Sequence, residues 1–405
     1  MKRLLIVLLF VSLGCSAQSD NSGTTASADE AGITVGAARF DEYLPLLKGK
    51  RVALLTNQTA VIGDNQTHLV DTLLSQGIKI VKIFGPEHGF RGTADAGATV
   101  ENAVDKKTGI PVISLYGSHN KPTAQELSDV DVMVYDIQDV GTRFYTYISS
   151  MQRFMEAAAA NHKPLIILDR PNPNGFYVDG PVLEKSLKSG VGMQPIPIVY
   201  GMTIGEYARM LIGEHWLNKP DLQPDLTVVK CLHYTHDSLY QLPVKPSPNL
   251  PNMASVYLYP SLCFFEGTHL SEGRGTAHPF QLFGHPDLPD SLYSFTPESM
   301  PGALHPKLEG QKCYGFLVAT DGPTALKKAG HRIQLRWIKE AYALFPDKAN
   351  FFRSYFNKLA GTETLMQQIK DGWSDARIYQ SWEPKLQAFK QIRKKYLLYP
   401  DFQTN

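Results

Sequence analysis

The sequence predicts an α/β protein: a mostly parallel sheet covered by helices, followed by a second, C-terminal domain. Three observations predict it. Short apolar runs alternate with helix-length amphipathic stretches over the first half of the chain. Polar and glycine residues gather immediately after those apolar runs. A proline-dense segment then separates this half from a helix-rich remainder. The composition permits such a fold. With 405 residues, 43% hydrophobic and 20% charged, the chain can build a large core and is neither disordered, collagenous nor coiled coil. Lys and Arg number 40 against 39 Asp and Glu, a formal charge of +1, without the basic excess of a dedicated nucleic-acid binder.

The first residues read as a targeting signal. Lys2 and Arg3 precede ten apolar residues, LLIVLLFVSL at 4–13, a run too short to span a bilayer. Leu13-Gly14-Cys15 then resembles the lipobox of bacterial lipoproteins, in which Cys15 would be lipidated and become the mature N-terminus. Ser12 departs from the usual Leu, and ordinary cleavage near Ala17 is the alternative; both imply export. Residues 16–31 are small and polar, the composition of a flexible tether. The expected location is a membrane anchored only through lipid, facing the periplasm or cell surface.

Strands are expected at 52–56, 78–84, 111–115, 132–136 and 165–169, with helices at 67–76, 122–127 and 145–161 between them. The last has apolar residues at 144, 147, 148, 151, 154, 155 and 158, which is helical spacing. A helix at 203–216 and a strand at 226–231 follow. Residues 242–260 contain prolines at 243, 246, 248, 251 and 260, which predicts an extended loop without regular helix or sheet. This places the catalytic domain at 32–245 and an auxiliary domain at 246–405. The latter should hold a strand at 314–319 and helices at 332–345, 350–359, 363–370 and 383–398. Lys385, Lys390, Arg393, Lys394 and Lys395 read as a solvated helix face. Cys231, Cys263 and Cys313 have no CxxC spacing, so buried thiols are expected rather than a zinc site.

Five strand ends carry polar motifs. In an open parallel sheet the carboxyl ends of the strands line the ligand crevice. Turn chemistry accounts for Gly, Pro, Asn and Asp there, but not for Glu87, His88, Arg91, Gln138 or Arg143. Glu87 follows an apolar strand and sits between Pro86 and Gly89. A carboxyl group on such a turn, partly desolvated, is suited to proton donation. A second cluster, FEGTHLSEGRGT at 265–276, adds Glu266, Glu272 and Arg274 among glycines that permit close approach of a ligand. Paired carboxylates are what glycoside cleavage requires: one protonates the leaving oxygen, the other activates water or attacks the sugar.

No phosphate loop, GxGxxG after the first strand, HExxH or GxSxG is present. His88, His269, His278 and His285 lack a diagnostic metal spacing. No metal or cofactor is expected.

Five motifs in order, GPEHGFRG (85–92), YDIQDVGTRFYTY (135–147), LDRPNPNG (168–175), PSPNLP (246–251) and FEGTHLSEGRGT (265–276), resemble the NamZ-type exo-β-N-acetylmuramidases, glycoside hydrolase family 171. The resemblance extends over residues 33–400. It implies a Rossmann-like domain with a smaller α+β auxiliary domain and an active cleft between them. It also implies an exo-hydrolase that releases N-acetylmuramic acid from the non-reducing end of peptidoglycan fragments, where the sugar is β-1,4-linked to N-acetylglucosamine. Peptidoglycan saccharides are then the partners, and no protein partner is implied. Carried over by motif, Glu87 is the first catalytic residue and Glu272 its expected partner, with Glu266 next and Asp136 third. Expected substrate contacts are His88, Arg91, Asp136, Gln138, Arg143, Asp169, Arg170, Asn172, Asn174, Arg274 and Thr276. At least one of Arg91, Arg143, Arg170 and Arg274 should bind the lactyl carboxylate of muramic acid. Tyr116, Phe144 and Tyr145 are candidates to stack on a sugar face.

Two other classes stay open. A metal-dependent amidase or peptidase of the same polymer would lose activity with a chelator. A non-catalytic sugar-binding lipoprotein would bind without turnover, and Glu87→Gln would leave its affinity unchanged.

Overall fold

A computed structural model describes residues 32–403 apart from His88, residues 92–101 and Pro220. Residues 33–405 belong to one compact unit. In chain order, α1 (Phe40–Leu47) leads into β1 (Arg51–Thr56). The hairpin β2 (Val61–Ile62) and β3 (Thr67–His68) precedes α2 (Leu69–Ser75) and β4 (Lys79–Gly85). Then come β5 (Ala103–Val104), β6 (Pro111–Ser114), β7 (Val132–Asp136), α3 (Tyr147–Ala160), β8 (Leu165–Leu168), α4 (Ile204–Gly213) and β9 (Leu226–Val229).

Seven strands form one sheet in the order β5-β6-β4-β1-β7-β8-β9. All pair in parallel except the edge strand β5. Setting β5 aside, the order is that of a doubly wound Rossmann sheet, with the chain reversing direction between β1 and β7. Burial on both faces explains why the strands read as apolar runs. In β1, Val52 and Leu54 enter one core cluster with α1 and α2, while Ala53 and Leu55 enter the other with α3 and α4.

The C-terminal lobe holds α5 (Met253–Leu262), a three-stranded antiparallel sheet and five further helices. The sheet contains β10 (Leu282–His285), β11 (Tyr293–Phe295) and β12 (Cys313–Leu317), with β12 central. The helices are α6 (Gly322–Ala329), α7 (Leu335–Leu344), α8 (Tyr355–Ala360), α9 (Thr364–Lys370) and α10 (Asp375–Lys394). One apolar cluster runs from Ala53 beneath the first sheet, through α5, to Phe389 on α10.

Three expectations fail. Residues 122–127 form turns, not a helix. Thr123 and Glu126 exchange the hydrogen bonds of a capping box, but the segment is too short to propagate a helix. The proline-rich segment does contain a helix, α5, all ten of whose residues are buried. Asn252 and Ser255 cap its start. Pro260 offers no N–H to the carbonyl of Val256 four residues earlier; Asn174 Nδ2, from the first lobe, donates to that carbonyl at 3.2 Å. Finally, α10 begins at Asp375 and continues through Pro384, and its Arg393 is not solvated. That side chain is 2% exposed, donates to Gly201 O at 2.7 Å and pairs with Asp401 at 2.7 Å.

Candidate active site

Glu87 stands where the sequence puts it, on the turn after β4. Gly89 N donates to Pro86 O at 2.9 Å, and Gly89 takes φ 74°, a conformation that favours glycine. The Glu87 carboxylate accepts from Thr146 Oγ1 at 2.9 Å, and Tyr147 OH approaches the Glu87 carbonyl at 3.5 Å. Thr146 is the N-cap of α3, so helix and strand end together fix the carboxylate. Burial, then the charge of Glu87, pushes the Tyr147 phenol well above its ordinary value and keeps it a neutral donor.

From the other lobe comes Glu266, on a 3-10 turn (Cys263–Gly267) that continues α5. Arg274 Nη2 donates to Glu266 at 2.6 Å, while its Nε lies 3.3 Å from Glu272. Glu272 is 2% exposed and also pairs with Lys307 at 2.7 Å. Burial alone would raise its carboxyl; Lys307 and Arg274 outweigh burial and hold it below the usual range. Lys307 donates as well to the carbonyls of Phe265 and Leu270, so this cluster is knitted into its own loop.

Glu87, Glu266 and Arg274 face one cleft of about 570 Å³, within the range of small-ligand sites. Its walls include Tyr116 after β6, the aromatic series Phe144, Tyr145, Tyr147, Tyr259 and Phe280, and Ser247 and Asn249 of the PSPNLP loop. Tyr145 OH donates to Pro246 O at 2.9 Å and so ties that loop to the first lobe. Edge-to-face contacts of 4.8 Å link Tyr145 to Tyr147 and Tyr259 to Phe280, and the Arg274 guanidinium lies 5.0 Å over the Phe280 ring.

Most of the other expected contact residues lie outside this lining, where protein groups take up most of their hydrogen bonds. Asp136 and Arg170 form a buried bidentate pair at 2.5 and 2.9 Å. Gln138 Nε2 donates to the carbonyls of Asp139 and Pro171. Asp169 accepts from Tyr399 OH, Thr203 Oγ1 and Gly205 N. Burial still raises its carboxyl to about 6 against those bonds. Asn172 Nδ2 donates to Met202 O, and Asn174 braces α5. Gly141, at φ 77°, packs so closely on Asn172 that a Cβ would come within 2.1 Å of its amide oxygen.

Arg143 donates to the carbonyls of Pro181, Ile196 and Leu359, and burial pushes its guanidinium down to about 9, leaving it charged at neutral pH. Arg91 pairs with Asp105 at 2.6 Å. Thr276 Oγ1 donates to Gly273 O. Glu272 likewise stands behind the cleft rather than in it. His88 and Cys15 lie outside the described residues. Among the described residues no three His, Cys, Asp or Glu side chains gather as a metal-holding group, and no helix is long and apolar enough to cross a membrane.

Sequence reasoning missed several polar lining residues, among them Thr146, Ser150, Arg153 and Tyr355. The first three share one stripe of α3, and the i, i+4, i+7 spacing of 146, 150 and 153 was the available signal. Tyr355 opens α8. Its phenol is pushed up by burial and then by Glu266, Cys263 and Glu87, so it lies within electrostatic reach of both cleft carboxylates.

Comparisons with known proteins identify the family. A family model described as "Exo-beta-N-acetylmuramidase NamZ, N-terminal" matches residues 52–254, and the corresponding C-terminal model matches residues 257–399. The peptidoglycan β-N-acetylmuramidase NamZ of Bacillus subtilis strain 168 is 40% identical over 402 residues, covering 95% of each chain. Two crystal structures of DUF1343 family proteins from Bacteroides fragilis NCTC 9343 are also similar. One is 45% identical with a TM-score of 0.83, covering 92% of this chain and all of its own. The other is 33% identical with a TM-score of 0.75, covering 91% and 99%. The two-lobed fold, the cleft between its motifs and these matches together make the chain a member of the NamZ exo-β-N-acetylmuramidase family.

Proposed function

We propose that this protein is an exo-acting glycoside hydrolase that releases N-acetylmuramic acid from the non-reducing end of peptidoglycan fragments. The observation that carries the reading is the pair Glu87 and Glu266, one from each lobe, facing a single aromatic-walled cleft. Glu87 is the proton donor. Thr146 donates to one carboxylate oxygen and so fixes the carboxyl group at the cleft, where it meets the glycosidic oxygen. As the C–O bond breaks, the leaving N-acetylglucosamine takes that proton and positive charge develops at the anomeric carbon. Glu266, or the substrate's own acetamido group, stabilises that charge, and water completes the hydrolysis. Arg274 orients Glu266, and Tyr355 is placed to donate to either carboxylate or to the sugar between them.

Glu266 replaces Glu272 as the second carboxylate, because both cations around Glu272 bind it where solvent and substrate do not reach. The test is release of a chromogenic aglycone from the β-glycosides of N-acetylmuramic acid and N-acetylglucosamine. The wild type should cleave the muramic substrate selectively, and Glu87→Gln should lose roughly 10²- to 10⁴-fold in kcat while remaining folded. Full activity in the variant would move the acid elsewhere. Turnover of neither glycoside would sink the reading.

The same reading places the enzyme outside the cytoplasm, held by a lipid on Cys15; the support is the charged, apolar and small-residue sequence at 2–15. Cys15→Ser should move the protein from the membrane fraction to the soluble one. An unchanged distribution would remove the anchor.

A further inference from the structure

Muramic acid carries one charge that glucosamine lacks, the carboxylate of its lactyl arm. We infer that Arg153 binds this carboxylate and so selects the substrate. The inference rests on the muramidase reading for the identity of its ligand.

Two guanidinium groups line the cleft. Arg274 is committed to Glu266 and Glu272. Arg153, among the described residues, makes no hydrogen bond and no ion pair. Its charged neighbour is Glu156. That carboxylate already accepts from Gln152 Nε2 at 2.9 Å and from Asn218 N at 3.0 Å. Arg153 is half-buried. A desolvated cation with five donors and no acceptor is costly until an anion completes it. A carboxylate fits the guanidinium fork with two parallel bonds.

The position suits the ligand. Thr146, Ser150 and Arg153 lie on one stripe of α3 facing the cleft. Thr146, at one end, holds the Glu87 carboxylate. Arg153 is two turns further, about 10 Å along the axis. Proton donor and free cation thus approach one cavity from the two ends of a stripe. In muramic acid the scissile bond at C1 and the lactyl arm at C3 likewise leave one pyranose ring at separate carbons, with C2 between them, and the arm carries its carboxylate further out. Ser149 Oγ donates to Gly190 O at 3.1 Å, which ties Gly190 to the same helix. Gly190 also lines the cleft, and a Cβ there would meet nothing within 4 Å, so the cavity has room at this end. The motif arginines expected to bind the arm are spent: Arg143 on carbonyls, Arg170 on Asp136, Arg91 on Asp105.

The test compares β-glycosides of N-acetylmuramic acid, of its lactyl methyl ester and of N-acetylglucosamine, with binding of the free sugars measured by calorimetry. In the wild type, esterification should lower kcat/KM roughly 10- to 100-fold. Arg153→Met should impose the same loss on the acid and leave the ester unchanged, and Arg153→Lys should recover part of it. Free N-acetylmuramic acid should bind the wild type more tightly than N-acetylglucosamine, and Arg153→Met should equalise them. Equal losses on acid and ester, or an intact preference, would overturn the inference while the muramidase reading stands. A wild type that cleaves neither glycoside, yet binds the acid sugar through Arg153, would sink the muramidase reading and keep this site. Equal binding of the two sugars by the wild type would overturn it.

Discussion

The carboxyl ends of β7 and β8 and those of β4 and β6 carry the same kinds of residue and do opposite things. The first pair ends in Asp136, Gln138, Asp139, Asp169, Arg170, Asn172 and Asn174, at the point where the strand order reverses and an open α/β sheet ordinarily binds its ligand. Here protein answers most of the polar atoms, through carbonyls, backbone amides, the Asp136–Arg170 pair, and Tyr399 from beyond α10, although Gln138 Oε1, Asp139 Oδ1 and Asn174 Oδ1 are buried without a hydrogen bond. The second pair ends in Glu87 and Tyr116, which open onto the cleft and meet Glu266 and Tyr355 from the other lobe. A charged residue at a strand end becomes available to a ligand only where the fold leaves it facing a cleft rather than packed behind other protein groups. The crevice has moved from the switch point towards the β4 and β6 ends because loops and the chain's own C-terminal segment fill the former.

The largest way to break this comparison is to unbalance the filled end. Asp136 and Arg170 are 0% and 1% exposed at their side chains. Burial works against the Arg170 charge, and Asp136 more than restores it. Arg170→Met would strand a buried carboxylate, so a stability loss of about 3–5 kcal/mol is expected, read as a lower urea midpoint with an unchanged slope. Adding Asp136→Leu should return much of it, because the isolated charge, not the lost pair, carries most of the cost. A single variant costing less than about 1 kcal/mol would mean that water or ligand reaches this pair, and the contrast between the two ends would collapse.

The sheet was legible because parallel strands buried on both faces announce themselves as apolar runs; β7 falls on the expected residues, and the other expected strands shift by one or two at their ends. Helix α3 was legible from its stripe. Helix α5 was not, because a helix buried all round has no amphipathic period, and Pro260 argued against it. What rescues the proline is Asn174, 82 residues earlier in sequence, a partnership no local pattern displays. The site divides in the same way. Glu87, Glu266 and Arg274 stood out because acid, base and glycine crowd short loops. Arg153 did not, because one arginine on a helix between apolar positions resembles a surface residue until the facing lobe is in place. Asp169, Arg143 and Gln138 stood out equally and do not line the cleft, since sequence displays donors and acceptors but not which of them the fold packs away.

The sharpest remaining comparison lies within the second lobe, between two glutamates on one arginine. Glu266 is 21% exposed at its side chain and faces the cleft, whereas Glu272 is 3% exposed and holds Lys307 as well. The same substitution should therefore separate function from stability. Glu266→Gln should cost roughly 10²-fold in kcat and under about 1 kcal/mol of stability, because Arg274 keeps Glu272 as its partner. Glu272→Gln should do the reverse. It leaves Lys307 and Arg274 with one fewer buried anion, which predicts a loss of about 1–3 kcal/mol in urea unfolding with kcat little changed in the folded fraction. If the kcat loss instead followed Glu272 and the stability loss Glu266, Glu272 would be the second carboxylate. Arg274 would then be positioning the buried glutamate rather than the exposed one.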